Sequence, residues 1–411
     1  MVEAKHVARK TEVLYLTYDG LTDPLGQSQI LPYLCGIADS GYSVTIVSFE
    51  KKVRFGATKN QISIICNAHK LDWVPLIYHK TPPILSTLFD LYRLRRYALK
   101  LHKRKNFSIV HCRSYITALL GLWLKNEYSI KFIFDMRGFW VDERVEGGLW
   151  NLKNPLYKSV YKFFKRKEKE FIHRADSVIV LTNAAEKELV NWNLNSSITI
   201  IPCCVDLKQF DPKRFNINDR NKLREELGIA VDDYILLYLG SLGTWYLYSD
   251  MVSYFQKLKK QKPNARFLFI TQDIEKIEGN REFIARTVSR DEIPKYIFAC
   301  DASICFIKPS FSKKGSSATK MAEVLAMGLP LVTNTGWGDV DFLKRHVNNL
   351  FVVDNNHQEL INTDWSAQLH KGRTEFFIDY FSLETGIQKY CRVYDILKSE
   401  TNPIEHYENK G

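Results

Sequence analysis

Residues 306–330 read FIKPSFSKKGSSATKMAEVLAMGLP. This pattern predicts the end of a strand, a polar loop and then a helix that stops at Gly328. The hydroxyls of Ser316, Ser317 and Thr319 are candidate acceptors for the free N–H groups at the start of that helix. The loop also carries three lysines, and a helix N-terminus favours negative charge. The stretch therefore predicts an anion-binding site just beyond the end of a strand.

Within the predicted helix, Lys320 and Glu323 lie three residues apart and share one face of the first turn. A lysine can neutralise a phosphate, and a neighbouring carboxylate can accept hydrogen bonds from paired hydroxyls. The pair therefore favours a phosphorylated sugar as ligand. A capping box with a surface ion pair explains the same two residues equally well, and the two residues alone leave both interpretations open.

The composition is that of a globular protein. The chain has 411 residues, of which 45% are hydrophobic and 25% charged, and its length suggests two domains. No apolar run reaches the roughly 18 residues of a membrane-spanning helix, and the first residues lack the apolar segment of a signal peptide, so we expect a cytoplasmic protein. The eight cysteines are scattered without a C-x-x-C pair, which predicts core packing rather than disulfides or a zinc site.

The net charge is +12, and the whole surplus lies in the first half of the chain. Residues 1–205 contain 30 lysines and arginines against 18 aspartates and glutamates, whereas residues 206–411 contain 28 of each. This one-sided charge predicts a polyanionic partner, such as an anionic membrane surface, a phosphorylated acceptor or nucleic acid. Nucleic acid ranks last and is not expected, because no recognition helix or base-stacking motif is visible.

Strand patterns alternate with helical patterns along the chain, which predicts an α/β protein with two doubly wound parallel sheets. A boundary between the two units is expected near residues 203–211. The predicted strands are residues 12–18, 43–49, 108–112, 131–135, 177–181 and 198–201 in the first half, and 234–239, 266–270, 302–306, 331–333 and 350–353 in the second. Ligands bind beyond the carboxyl ends of such strands, so the segments that follow them are candidate binding segments.

Residues 19–29 follow the first strand and form a predicted loop with Asp19, Gly26 and Gln27 as candidate ligand contacts. Gly26 would let the backbone approach a ligand closely, although a simple turn also explains a glycine there. The same edge collects further polar residues at or after later strands: His111, Arg113, Asp135, Arg137, Asp142 and Glu143. His111 could instead be a buried strand histidine, and the two acidic residues at 142 and 143 could instead mark a helix N-terminus.

Two predicted helices, residues 85–105 and 156–167, are rich in basic and aromatic residues. Interleaved side chains of these types suit an anionic bilayer surface, where each cation contributes on the order of 1 kcal/mol. Such a stripe is more often a core face with a solvated rim, and both interpretations stay open. The last helix, near residues 381–397, has no strand after it and is expected to brace the two domains.

Several motifs, taken in their order along the chain, resemble the GT-B glycosyltransferases of family 4, in a branch associated with bacterial surface polysaccharide assembly. They are residues 23–29 (DPLGQSQ), 135–140 (DMRGFW), 201–206 (IPCCVD) with Phe210, 240–246 (GSLGTWY), and Thr319-Lys320 with Glu323 and 328–330 (GLP). Each motif is modest alone, but their order and spacing are specific, and the likeness covers nearly the whole chain.

The resemblance implies two facing Rossmann-like domains with an inter-domain cleft. Residues 1–205 would bind the acceptor and residues 206–385 the nucleotide-sugar, with a C-terminal helix of about 386–411 packing back toward the first domain. It also implies transfer of a hexose or related sugar from a UDP- or GDP-linked donor with retention of configuration, and neither a metal nor another cofactor.

The resemblance, together with the positions of these residues after the predicted strands, suggests roles for individual residues. The donor-binding residues would be Ser241, Gly243, Thr244, Ser316, Ser317, Thr319, Lys320 and Glu323. The acceptor-side residues would be Asp19, Gly26, Gln27, His111, Arg113, Asp135, Arg137 and Asp142. The catalytic groups would be Lys320, Glu323, Arg137 and Glu143.

The chain departs from the family pattern in two motifs. Many members carry a pair of glutamates, the first of them eight positions before the second; Glu323 matches the second, but Gly315 stands in the first place. Many members also carry arginine and lysine in the glycine-rich loop, where Ser241 and Thr244 stand in this chain. Both departures remove charges that would contact the donor.

By charge, we expect Lys320, helped by Lys308, Arg113 or Arg137, to neutralise the donor diphosphate instead. The leading hypothesis is a peripheral membrane glycosyltransferase that extends a lipid-linked saccharide at the inner face of the cell membrane. Two alternatives stay open: a sugar-nucleotide epimerase of the same fold, and a catalytically idle scaffold that binds nucleotide or membrane.

Overall fold

The computed structural model describes residues 10–192, 197–277, 279–353 and 373–399. Within these residues the chain forms two parallel sheets with helices between successive strands, which confirms the predicted α/β architecture. The expected helix of about 386–411 lies inside the described residues only as far as Ser399. No helix in these ranges combines the length and the apolarity that crossing a bilayer requires.

The first sheet has seven strands among the described residues, and all of them run parallel. They are β1 (Glu12–Thr17), β2 (Ser43–Glu50), β3 (Asp72–Ile77), β4 (Ile109–Arg113), β5 (Lys131–Asp135), β6 (Ser177–Val180) and β7 (Ile198–Ile200). The spatial order is β3-β2-β1-β4-β5-β6-β7, so the direction of strand addition reverses between β1 and β4. Thr17, Arg113 and Asp135 are in register across β1, β4 and β5, which places the segments after these strands side by side.

The second sheet repeats this order with six described strands. They are β8 (Ile235–Leu239), β9 (Arg266–Ile270), β10 (Phe283–Arg286), β11 (Ala302–Cys305), β12 (Leu331–Asn334) and β13 (Leu350–Val353). Their spatial order is β10-β9-β8-β11-β12-β13, with the reversal between β8 and β11. The central strand β8 is buried along its whole length, as its unbroken apolar sequence predicts for a sheet covered on both faces.

The helices follow one another in chain order. They are α1 (Pro24–Gln29), α2 (Leu31–Asp39), α3 (Lys52–Ala68), α4 (Leu85–Lys105), α5 (Ser114–Tyr128), α6 (Trp140–Glu146), α7 (Pro155–Arg174), α8 (Asn183–Asn191), α9 (Ile217–Glu226), α10 (Tyr248–Gln261), α11 (Ile293–Phe298), α12 (Thr319–Ala326), α13 (Val340–Leu343), α14 (Glu375–Phe381) and α15 (Leu383–Ser399).

The structure corrects two expectations about local structure. Residues 24–29 form the short helix α1 instead of continuing the loop after β1, because Pro24 at the first helical position already has the backbone angle that a helix needs. The single helix expected near residues 381–397 is two helices, α14 and α15, separated at Ser382. The two strands β3 and β10 have no counterpart among the predicted strands.

The chain crosses between the two halves twice. The segment after β7 leads to the second sheet, and Ser382 leads back beside it, where it pairs with Val205. Phe381 of α14 is buried in the core of the second sheet, whereas α15 packs against the first sheet with Tyr390 buried beside Tyr33 of α2. The bracing role expected of one helix therefore falls to the pair α14 and α15.

Candidate functional site

A cavity of about 1210 Å³ lies between the two sheets, at the carboxyl ends of the central strands of the first sheet and in front of α12. One wall comes from the second half of the chain and contains residues 316–320 and Tyr246. The opposite wall comes from the first half and contains Asp19, Arg113 and Arg137. Parallel α/β sheets bind their ligands at this position, where the strand order reverses.

The N-terminus of α12 opens into the cavity, since residues 316–320 line it. The expectation that Ser316, Ser317 or Thr319 caps this helix is wrong: the N-cap residue is Ala318, and no side chain accepts from the first N–H groups. Ser317 Oγ accepts a hydrogen bond from the N–H of Cys203 instead, at 3.1 Å. The first turn also contains no acidic residue. The uncapped helix end can therefore receive an anion from the cavity.

Lys320 is held by aromatic rings at the end of β8. Its Nζ lies 3.3 Å from the hydroxyl of Tyr238, and 4.6 Å and 3.7 Å from the ring centroids of Tyr238 and Tyr246. Burial raises the pKa of Tyr238, so its hydroxyl stays neutral and donates to the carbonyl of Ser241 at 2.6 Å. Among the described residues, no carboxylate oxygen lies within 4.0 Å of this Nζ. The ammonium group is therefore positioned without being neutralised, which leaves its charge for a phosphate.

Gly240 makes room for this lysine. A Cβ at Gly240 would stand 2.5 Å from Lys320 Nζ, and the φ angle of 113° is itself one that side chains rarely allow. The other residues of this loop that were expected on the donor side, Ser241, Gly243 and Thr244, are exposed and do not line the cavity. The glycine-rich loop therefore contributes space and the Tyr246 ring to the cavity wall.

Glu323 lies one turn beyond Lys320, buried behind the cavity wall. Its Oε1 accepts a hydrogen bond from Arg290 Nη1 at 2.8 Å. Burial raises the pKa of the Glu323 carboxyl, and the nearby Arg290 and Lys320 oppose the shift. The structure thus brings Lys320 and the helix end to the cavity, while it pairs Glu323 with Arg290 beside the cavity.

Two buried arginines form the opposite wall. The side chains of Arg113 and Arg137 are 3% and 8% exposed, and both line the cavity. Arg113 Nε lies 3.4 Å from Asp19 Oδ2, and the Nη1 atom of each arginine lies 3.8 Å from an oxygen of Asp135. Neither Nη1 atom has a hydrogen-bond partner. The two guanidinium groups thus face the carboxylates of Asp135 and Asp19, and each keeps an Nη1 atom without a partner that can donate to an anionic ligand group.

Arg137 is held in an unusual backbone conformation. Its φ angle is 55°, in the left-handed region that costs a non-glycine residue about 1–3 kcal/mol. Ser114, which directly follows Arg113, has a φ angle of 68°. Such strain persists only where the surroundings hold the residue in place, and it clusters at functional sites. Both turns that carry the arginines therefore fix the direction of these side chains.

Asp135 and His111 lie beneath the arginines and do not line the cavity. The Tyr390 hydroxyl donates to Asp135 Oδ2 at 3.2 Å, and His111 Nε2 lies 3.5 Å from the same oxygen. Burial opposes ionisation of Asp135, but the two arginines and His111 outweigh it, and its pKa is lowered. Burial lowers the pKa of His111, whose Nδ1 lies 2.7 Å from the Tyr394 hydroxyl. These residues support the arginines from below, and His111 is the buried strand histidine of the alternative interpretation.

Two further acceptor-side candidates lie away from the cavity. Gly26 does approach another backbone closely, but it is that of its own loop: a Cβ there would stand 2.0 Å from the carbonyl oxygen of Gly20. Gln27 Nε2 donates to the carbonyl of Thr22 at 3.2 Å. Both residues thus shape the turn between β1 and α2 that presents Asp19.

Asp142 and Glu143 of α6 also lie away from the cavity. Asp142 accepts hydrogen bonds from Tyr161 and Lys165 of α7, both at 2.9 Å, inside the first half of the chain. Glu143 Oε1 pairs with Lys313 Nζ at 2.7 Å across the two halves. Glu143 therefore joins the halves in this arrangement, and the catalytic position expected for it is not where its carboxylate lies.

Gly315, in the place of the family's first glutamate, lies against the first half of the chain. A Cβ on Gly315 would stand 3.0 Å from Gly138 Cα and 3.1 Å from the ring of Phe139. Nearby, the Glu146 carboxylate accepts hydrogen bonds from the N–H groups of Phe311 and Ser312, at 3.2 and 3.0 Å. The close approach of the two backbones accounts for a glycine at this position.

Asp339 makes a second contact between the halves. Its carboxylate accepts hydrogen bonds from the N–H groups of Asn183 and Ala184 at the start of α8, at 2.7 and 3.0 Å, and from the Tyr380 hydroxyl at 2.6 Å. In the described part of the chain, no group of three or more His, Cys, Asp or Glu side chains is arranged to hold a metal ion.

Sequence reasoning missed five residues that build the site. Tyr238 lies near the end of a predicted strand and Tyr246 closes the glycine-rich motif that follows it, so their positions were a usable signal. Arg290, Tyr390 and Tyr394 come from distant segments, and no local pattern indicates that they meet Glu323, Asp135 and His111. Only the folded chain brings them together.

Comparisons with known proteins identify the family and the fold. Residues 34–209 match the family model Glycosyltransferase Family 4, and residues 219–363 match the model Glycosyl transferases group 1. A curated relative, alpha-monoglucosyldiacylglycerol synthase of Acholeplasma laidlawii, is 22% identical over 282 residues, which cover 65% of this chain and 68% of the relative.

Two solved structures share the whole fold at low identity. Sucrose-phosphate synthase from Thermosynechococcus elongatus superposes with a TM-score of 0.67 at 15% identity, over 95% of this chain and 100% of the other. A glycosyltransferase from Rickettsia africae superposes with a TM-score of 0.67 at 16% identity, over 95% of this chain and 99% of the other. The chain therefore belongs to the GT-B glycosyltransferases, with a first half of the family 4 type and a second half of the group 1 type.

Proposed function

We propose that this glycosyltransferase moves a hexose or related sugar from a UDP- or GDP-linked donor to a lipid-linked saccharide, with retention of configuration and without a metal ion, in cell-surface polysaccharide assembly. The observation that carries the proposal is a single cavity with an uncapped helix N-terminus and Lys320 on one wall and Arg113 and Arg137 on the other. Such a cavity can hold a donor diphosphate and an acceptor head group at the same time.

In the proposed reaction, the bond between the sugar and the diphosphate breaks while negative charge grows on the leaving phosphate. Lys320 Nζ and the free N–H groups of α12 are already directed into the cavity and stabilise that charge, which is typically the largest contribution to catalysis of this kind. The acceptor hydroxyl attacks from the same face of the sugar that the diphosphate leaves, and its proton passes to the leaving phosphate oxygen. Arg137 orients the reacting groups.

The lipid-linked acceptor and the location at the inner face of the membrane are supported by two observations. The name of the curated relative describes a synthase of a glucosylated diacylglycerol, that is, of a sugar joined to a lipid. The helices α4 and α7 carry much of the positive surplus of the first half, which suits peripheral contact with anionic lipid.

A panel of UDP- and GDP-sugars, supplied with a membrane lipid extract as the acceptor source, tests the proposal through nucleoside diphosphate release and the appearance of a glycosylated lipid. We expect one donor to give both products. Release of an epimerised sugar nucleotide without acceptor would indicate the epimerase instead. Donor binding without turnover across the panel would indicate the idle scaffold and contradict the proposal.

A further inference from the structure

The cavity continues beyond the two arginines into an apolar half, here named the apolar groove. Its walls come from α4, α5, α6 and α7 and include Leu88, Leu119, Trp140, Val160 and Phe163. Binding and transfer of a nucleotide-sugar, as proposed above, require none of these side chains. The apolar groove is therefore a second feature of the cavity that needs its own explanation.

The apolar groove is continuous with the wall that Arg113 and Arg137 form, because the same two segments build both. Arg113 directly precedes α5, whose residue Ile116 lines the cavity one turn further on. Arg137 likewise precedes Trp140, the first residue of α6, which also lines it. A ligand that enters the apolar groove therefore arrives at the arginines without crossing a protein wall.

The volume of the cavity exceeds that of a typical single small-molecule site. A single small-molecule site typically occupies about 300–1,000 Å³, whereas this cavity measures about 1210 Å³. A donor bound at α12 and Lys320 accounts for the polar end alone. The remaining, apolar space suits a hydrophobic ligand that is long enough to reach the polar end.

The outer end of the apolar groove opens to solvent between basic helices. Leu88, Leu149 and Phe163 line the cavity and yet are 58%, 61% and 39% exposed. The helix α4 carries seven lysines and arginines and one acidic residue, the buried Asp90. The helix α7 carries seven lysines and arginines and two glutamates, of which Glu168 is buried. An exposed apolar opening on cationic helices is complementary to an amphiphile in an anionic surface.

We propose that the apolar groove binds the hydrocarbon chain of the lipid acceptor, whose polar head then lies at Arg113 and Arg137, facing Lys320. This inference rests on the proposed function, because it assumes that the acceptor carries a lipid. The walls of α4 to α7 replace the bilayer around part of the hydrocarbon chain. The polar head of the lipid can therefore reach the donor while the rest of the lipid stays in the membrane.

Alkyl phosphates supply the probe, since they combine a hydrocarbon chain with an anionic head. Binding of n-butyl, n-octyl and n-dodecyl phosphate is measured by titration calorimetry without vesicles and below the concentrations at which they form micelles. Each buried methylene raises affinity about fourfold, so we expect the affinity to rise on the order of a hundredfold from butyl to octyl. An affinity that does not depend on chain length would overturn the proposal.

Two leucines provide a matched pair of variants. Leu88 on α4 and Leu156 on α7 are 58% and 56% exposed, but only Leu88 lines the cavity. We expect Leu88→Asp to weaken n-octyl phosphate binding by about tenfold or more, and Leu156→Asp to leave it unchanged. Phe163→Asp is a second groove variant with the same expected loss. Equal losses of affinity in Leu88→Asp and Leu156→Asp would indicate that n-octyl phosphate adsorbs to the helix surface. They would contradict a hydrocarbon chain bound in the apolar groove.

A parallel measurement separates this inference from the proposed function. Nucleoside diphosphate binding, followed by thermal shift, should be the same in wild type and Leu88→Asp. If sugar transfer occurs but the KM for alkyl-linked acceptors does not fall with chain length, the apolar groove proposal fails and the proposed function stands. If n-octyl phosphate binds as expected but no sugar nucleotide is turned over, the proposed function fails and the binding site stands.

Discussion

The two ends of the cavity offer a ligand different kinds of contact. At the polar end, Lys320 is one ammonium group held between the rings of Tyr238 and Tyr246 beside an uncapped helix, in a half of the chain whose charges balance. At the other end, two buried arginines open into the apolar groove, in a half with a surplus of 12 positive charges. For the proposed donor, one positioned charge beside a pre-aligned helix end is enough, whereas the proposed lipid acceptor needs apolar area and a long-range electrostatic field.

The largest effect is expected at the polar end. Lys320→Ala should lower kcat/KM by about 10²–10³, the loss seen when one preorganised donor to a developing negative charge is removed. Nucleoside diphosphate release from the preferred sugar nucleotide measures it. Lys257→Ala, an exposed lysine on α10, is the control and should keep full activity. Similar losses in both variants would remove the special role of Lys320.

A second prediction concerns Gly315, where the two halves of the chain meet. Gly315→Glu restores the glutamate of the family pattern, but the added atoms meet Gly138 and Phe139. Overpacking of this size costs about 1–3 kcal/mol, so kcat/KM should fall on the order of tenfold. Gly315→Ala should show a smaller loss of the same kind, since its Cβ alone makes a tight contact.

Gly56→Ala in α3 is the matched control, because nothing lies within 4 Å of a Cβ there and its activity should be unchanged. A gain of activity in Gly315→Glu would show that the glutamate is compatible with the arrangement of the two halves, and that the close backbone approach does not decide which residue stands at this position.

The basic helices should matter for membrane binding but not for the polar end. Replacing both Lys158 and Lys162 on α7 with alanine removes about 1 kcal/mol each at an anionic surface. Co-sedimentation with phosphatidylglycerol vesicles should therefore weaken by about thirtyfold, while phosphatidylcholine vesicles and nucleotide binding show no difference. Unchanged binding to the anionic vesicles would place the contact elsewhere.

The smallest effect is a pH-dependent change in stability at Glu323. Burial raises the pKa of this carboxyl, so its contribution to stability is fully present below the unfolded pKa of about 4.3 and is lost as the pH rises through the folded value. Glutamine cannot ionise. Glu323→Gln should therefore raise the Tm at pH 8, and the gain should vanish toward pH 4.

Glu292 provides a control of opposite sign. Hydrogen bonds from Ser289 lower its pKa, so its contribution is present above the unfolded pKa and is lost as the pH falls through the folded value. Glu292→Gln should lower the Tm near pH 7 and converge with wild type in acid. If Glu323→Gln instead destabilises the protein at pH 8, the ion pair between Glu323 and Arg290 contributes more to stability than burial of the Glu323 carboxylate costs.

Most of the fold could be predicted because its central strands are short apolar runs between turn residues. The missed strands, β3 and β10, are the outer strands of their sheets and carry weaker patterns. Pro75 interrupts β3, which an edge strand tolerates, and β10 has only four residues, none of them fully buried. Edge strands are half-solvated, so their sequences hold less of the apolar signal.

The site was less predictable than the fold. Lys320 and the two arginines could be proposed from their places after strands, since the topology gathers such segments at one edge. The supporting tyrosines of α15 could not, because the chain returns to the first sheet only after completing the second. Gly315 could be noticed as a departure from a pattern, but its cause is a contact with Gly138, which is far away in sequence.

The most direct test of the account measures both ends of the cavity in one set of titrations. A nucleoside diphosphate and n-octyl phosphate are titrated, alone and together, into wild type, Lys320→Ala and Leu88→Asp. Both ligands should bind wild type together, Lys320→Ala should weaken only nucleotide binding, and Leu88→Asp should weaken only n-octyl phosphate binding. Mutual exclusion of the two ligands, or a loss of both in either variant, would contradict a cavity with two separate binding ends.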